Sequence, residues 1–212
     1  MTAKPSRSLA FRYIYEPIGW RLSRIVAKTP ITGNQISIFV MFLTIIAFYS
    51  ISIKYLFTGL ILLQFVLLLD TMDGTVARIK NQASKRGKYL EAIWHICIFA
   101  LFYFSLGIYS YKQLNNPNFI IIGSLTAMFI LIIDILFHRH DYIYGIKREE
   151  ETKHTKLQYI IRWLTCPSHT FNYALILAFF NLIPLMVISY FLLYSLIIIY
   201  KIKTFVFSKK VN

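Results

Sequence analysis

Acidic side chains are scarce in this chain, with nine Asp and Glu among 212 residues against 23 Lys and Arg. Cysteine is scarcer still: two residues, Cys97 and Cys166, exclude a disulfide framework. Charged residues make up only 15% of the sequence and hydrophobic ones 57%. A soluble domain usually carries about a quarter charged residues, so this balance points to lipid as solvent. The formal net charge of +14 raises the question of nucleic acid. The cations, however, fall between apolar runs rather than in one patch, so a membrane surface is the better partner and no nucleic acid is expected. The first strongly apolar run begins near Ile36, behind a long basic segment, which is not the layout of a cleavable signal.

What is present in abundance is long apolar sequence. Runs of roughly bilayer length, about 20 residues, read as Ile31–Ile53, Tyr55–Ala77, Tyr89–Ser110, Phe119–Phe137, Thr170–Leu182 with its neighbours, and Pro184–Tyr200. Asn115-Asn116-Pro117-Asn118 and the stretch from Asn181 to Pro184 supply turns between them. The expected fold is an all-α integral membrane protein with about six transmembrane helices and both termini cytoplasmic. In that topology 21 of the 23 Lys and Arg lie inside, leaving Lys54 and Lys112 outside. Residues 1–29 mix Phe11, Ile14, Ile18, Trp20, Leu22 and Ile25 with cations and read as an amphipathic juxtamembrane segment on the cytoplasmic leaflet. Residues 30–212 form the membrane domain.

Ionisable groups inside a membrane are costly and usually mark function. Glu16, Asp141, Glu149, Glu150 and Glu151 lie where water can reach them, which leaves Asp70, Asp73, Glu91 and Asp134. Helical geometry brings three of these four together. At about 100° and 1.5 Å per residue, Asp70, Asp73 and Ala77 share one face, with Gly74 beside it. Gly87, Glu91 and His95 share one face of the next helix. Asp70 and His95 each lie about 12 Å into their helices across a short loop, so the groups meet at similar depth. Three crowded carboxylates call for a divalent cation, and oxygen ligands suit Mg²⁺ or Mn²⁺. The alternative is ion pairing with Arg78, Lys85 or Arg86. Asp134 and His138, four apart on one face, suit either an acceptor site or a local ion pair.

Asp70-Thr71-Met72-Asp73-Gly74-Thr75-Val76-Ala77-Arg78, followed after eight residues by Gly87, resembles the signature of the CDP-alcohol phosphotransferase family, D-x2-D-G-x2-A-R-x8-G-x3-D-x3-D. Thr32-Gly33-Asn34-Gln35-Ile36-Ser37 is similar to that family's Pro-Asn-x-x-Thr stretch, with the proline displaced to Pro30. The resemblance implies transfer of a phospho-alcohol from a CDP-linked donor to an alcohol acceptor with release of CMP. The donor is CDP-diacylglycerol or a CDP-linked head group. Asp70, Asp73 and Glu91 become metal ligands. Gly74, Ala77, Arg78, Gly87 and Asn34 become the nucleotide and phosphate contacts, with Arg78 on phosphate. The resemblance also implies a homodimer, and the Lys/Arg distribution puts the site on the cytoplasmic side of a bacterial inner membrane or its equivalent.

Two departures stand out. Glu91 and His95 occupy the positions of the last two motif aspartates. Glu91 keeps a carboxylate. His95 replaces the residue the family uses as general base, and a histidine can serve as base or as metal ligand. A non-catalytic membrane protein that keeps the fold and nucleotide binding is the rival reading.

Overall fold

The computed structural model describes residues 11–143 and 164–207, with backbone alone at 86, 88, 90, 91, 137–143, 167 and 204–207. Among these residues all regular secondary structure is helical. A π-helical turn, Phe11–Tyr15, leads into α1 (Glu16–Val26), α2 (Gly33–Ser52), α3 (Leu56–Ile79), α4 (Lys85–Leu114), α5 (Asn118–Ile143), α6 (Pro167–Phe179) and α7 (Ile183–Phe207).

Five of these helices contain stretches long and apolar enough to cross a membrane: α2, α3, Ala92–Leu114 of α4, Asn118–Leu136 of α5 and Ile183–Lys203 of α7. They make the chain a multi-pass membrane protein. The remaining apolar run is shorter than a span. Its helix, α6, has 13 residues, or about 20 Å at 1.5 Å per residue, against about 30 Å of hydrocarbon. Pro167 fixes its start, because proline suits the first helical turn. Asn181, at a left-handed φ of 56°, ends the segment.

The other boundaries follow from similar local chemistry. Thr32 and Gln35 form a capping box at the start of α2: the Thr32 hydroxyl accepts from Gln35 N at 3.3 Å, and Gln35 Oε1 accepts from Thr32 N at 2.9 Å. Asn81, at φ 55°, stops α3, while Gln82 N donates to Ala77 O at 2.8 Å. Ser84 then caps α4 by accepting from Gly87 N at 3.1 Å.

The chain divides into two units. The first holds α1 to α3, α4 as far as His95, and α6. Small residues set its helix contacts, as expected where lipid supplies no hydrophobic drive between helices. A Cβ on Gly59 of α3 would lie 2.5 Å from Ala47 O of α2, so only glycine permits that crossing. Val40, Ala47, Ile51, Leu60 and Leu63 are buried in this unit. On α1, Gly19 packs so tightly on Thr71 of α3 that a Cβ would overlap its hydroxyl. The Tyr15 hydroxyl contacts Gln64 of α3 and lies 3.2 Å from Asn172 Oδ1 of α6. Burial pushes the Tyr15 phenol up, partly offset by the Asn172 hydrogen bond, so the hydroxyl keeps its proton. Lys80 Nζ donates to the carbonyls of Thr29 and Ile31 at 2.5 and 2.6 Å, tying the α1–α2 connection to the end of α3.

In the second unit, α4 and α5 approach at Gly107 and Gly123, where a Cβ on Gly123 would lie 2.8 Å from Gly107 Cα. Tyr103 is fully buried there, with its ring 5.2 Å from Tyr190 and 5.7 Å from Tyr194. Asp134 lies in this unit, part-buried on α5. The side chain of His138, its suggested partner, lies outside the described residues.

Candidate active site

The aspartates of α3 stand one turn apart and differ in setting. Asp73 is only 8% exposed. Its Oδ2 accepts from Ser37 Oγ of α2 at 2.6 Å, and its Oδ1 accepts from Gly74 N at 2.5 Å. Ser37 Oγ also lies 3.2 Å from Gly33 O, so its single proton goes to the nearer carboxylate. Hydrogen bonds of this kind fix a carboxylate in orientation. Asp70 is more open: its side chain is 25% exposed, and Oδ1 lies 3.2 Å from Nε2 of His95, which is 43% exposed.

Around this pair, α3 presents a smooth surface. Thr71 and Thr75 turn their hydroxyls onto helix carbonyls, Leu68 O at 2.6 Å and Thr71 O at 3.0 Å. Beside Gly74 the first atoms a Cβ would meet are guanidinium nitrogens of Arg78, at 3.6 and 3.9 Å. The backbone there is therefore open on a side flanked by a cation. Arg78 is exposed, with Nη2 donating to Thr75 Oγ1 at 3.1 Å.

The start of α2 closes another side. A Cβ on Gly33 would lie 2.6 Å from Asp73 O and 2.9 Å from Ala77 Cβ, so α2 rests directly on the motif. Ala77 thus has one flank taken by Gly33. A Cβ on Gly87 of α4 would lie 3.3 Å from Asn34 Oδ1, which places Asn34 at the mouth of α4. Three helix ends therefore converge, all within the first unit: the start of α2, the end of α3 and the start of α4.

Most residues singled out from the sequence meet here. Asp70 and His95 touch, Gly74 and Arg78 line one side, and Asn34 adjoins Gly87. Glu91 lies between Gly87 and His95 along α4, and its side chain lies outside the described residues. Among the described residues no three His, Cys, Asp or Glu side chains form a group able to hold a metal ion. The sequence reading missed Ser37, the direct partner of Asp73. Its signal was faint: a serine one turn after Gly33, in the stretch compared with Pro-Asn-x-x-Thr.

A family model, CDP-alcohol phosphatidyltransferase, matches residues 31–206. The chain belongs to that family. The match runs from the residue before the Thr32 cap into the last turn of α7 and includes every residue of the site from Asn34 to His95. No curated protein matches the chain. CDP-alcohol phosphatidyltransferases transfer a phospho-alcohol from a CDP-alcohol, so membership makes this chain a membrane transferase of lipid biosynthesis.

Proposed function

We propose that this chain transfers a phospho-alcohol unit from a CDP-linked donor to an alcohol acceptor at the cytoplasmic face, releasing CMP, with Mg²⁺ or Mn²⁺ held by Asp70, Asp73 and Glu91. The observation that carries the reading is the pairing of Asp70 with His95 beside the buried, hydrogen-bonded Asp73. The donor set is all carboxylate oxygen with a hydroxyl behind it, which fits hard divalent cations. When bound, such a cation supplies charge neutralisation for the donor's two phosphates and the departing CMP.

The chain's own residues supply the rest. Gly74 leaves the backbone open so that the nucleotide can approach. Arg78, at the rim of that opening, pairs with phosphate through its fork of donors. The acceptor oxygen attacks the phosphorus that bears the donor's alcohol, and the bond from that phosphorus to the bridging oxygen of CMP breaks. The acceptor's proton passes to His95. An ionised Asp70 oxygen accepts from Nε2–H, which holds the ring beside the carboxylate pair. Orientation follows the cations of the first unit: Lys28, Arg78, Lys80 and Lys85 flank the site end of the helices, with Lys54 past the opposite end of α2.

Mass spectrometry of products from purified protein, offered CDP-diacylglycerol and small CDP-linked head groups in turn, tests the reading. One donor class should yield CMP and a matching product. CDP binding with no CMP from any donor would favour the non-catalytic alternative.

A further inference from the structure

The outward surface of α1 takes no part in the site. At about 100° per residue the helix divides into three sectors. Gly19 and Ser23 form the buried one, with Gly19 seated on Thr71. Ile18, Leu22 and Ile25 form an apolar sector that is open, Ile25 being 63% exposed. Arg21 and Arg24 form the cationic sector, and both are exposed, as is Lys28 just past the helix end. The Arg24 guanidinium stands 3.7 Å from the centre of the Trp20 ring, which places the indole at the edge of the cationic sector.

We propose that α1 is a binding surface for anionic phospholipid, with Arg21, Arg24 and Lys28 on head-group phosphates and Ile18, Leu22 and Ile25 in the acyl boundary. A soluble anion would engage the cations and leave the apolar sector in water. A nucleic acid would have no use for it either. Only a lipid leaflet satisfies both sectors at once, and α1 is seated on α3, which is itself long and apolar enough to cross one. The buried sector is already filled by α3, so the helix cannot turn its cations away by rolling. The seat matters too. Thr71 lies between Asp70 and Asp73 in the chain, and Lys80 clamps the connection that follows α1. Lipid held by α1 therefore bears on the helix that carries both aspartates.

The surface can be tested without any reaction. The full chain is reconstituted in vesicles of phosphatidylcholine and phosphatidylglycerol, with bromine on one lipid or the other. Subtracting the emission of Trp20→Phe isolates the Trp20 signal. Brominated phosphatidylglycerol should quench Trp20 about five-fold more effectively per molecule than brominated phosphatidylcholine, and the preference should shrink as salt is raised. R21Q/R24Q/K28Q should bring the two lipids to parity. Equal quenching by both lipids in the unsubstituted chain overturns the proposal, as does a preference that survives the triple substitution or high salt. The salt series needs no variant, so it decides the matter even where the triple variant fails to insert. Quenching preference in a chain that releases no CMP supports the lipid surface and defeats the transferase reading, so the two failures are distinguishable.

Discussion

Asp70 and His95, 25 residues apart in the chain, meet at 3.2 Å across the turn between α3 and α4. This contact brings the imidazole of α4 beside the carboxylate pair of α3.

If His95 takes the acceptor's proton, it must be neutral to do so. Below its ionisation the ring is already protonated and cannot accept, so the rate should rise with pH through a histidine titration. His95→Ala should lower kcat by about 10²–10⁴-fold, the usual worth of a general base, with donor affinity kept. His95→Asp should recover part of the rate and move the pH limb lower. Loss of metal affinity in parallel with rate would make His95 a ligand instead, and an unchanged rate would place the base elsewhere.

Ser37 is a positioning residue for Asp73. Its hydroxyl donates to Asp73 Oδ2 at 2.6 Å, and a hydrogen bond to a charged group is worth about 1.5–3 kcal/mol. Ser37→Ala should therefore raise the Mn²⁺ concentration for half-maximal turnover by about 10–100-fold, and Ser37→Thr should restore it. A metal titration indistinguishable from the unsubstituted chain would remove Ser37 from the account.

Gly33 and Gly59 both sit where a Cβ collides with backbone, but against different things. Gly33→Ala would drive into Asp73 O and Ala77, whereas Gly59→Ala would drive into Ala47 O, away from the carboxylates. Both should lower the melting temperature, since overpacking costs about 1–3 kcal/mol. Only Gly33→Ala should also depress turnover of the folded fraction. Equal specific activities in the two variants would contradict the placement of α2 against the motif.

Much of this architecture was legible because membrane chemistry writes it in long runs. Apolar length gave α2, α3, α4, α5 and α7, and helical arithmetic alone brought Asp70 to His95. What the sequence could not show was which helix faces meet. On α2, the exposed Ile38, Phe39, Phe42 and Ile45 are as apolar as the buried Ile36, Val40, Ala47 and Ile51. Lipid and protein core ask for the same side chains, so the periodicity that marks a soluble helix disappears. Contacts that depend on such faces were therefore hidden: Ser37 on Asp73, Gly19 on Thr71, Tyr15 on Gln64. The length of α6 was hidden for a different reason. Apolar residues continue past its C-terminal end, and only the backbone at Pro167 and Asn181 decides where the helix starts and stops.

The most direct measurement is CMP release by the purified protein with its donor, in Mg²⁺ or Mn²⁺ and after chelation, for the unsubstituted chain and for Asp70→Asn and Asp73→Asn. Asparagine keeps the shape of each side chain and removes the charge that would hold the cation. The account predicts release that stops on chelation, and loss of turnover in both variants at unchanged membrane insertion. Metal-independent release, or a rate in either variant equal to that of the unsubstituted chain, would contradict it.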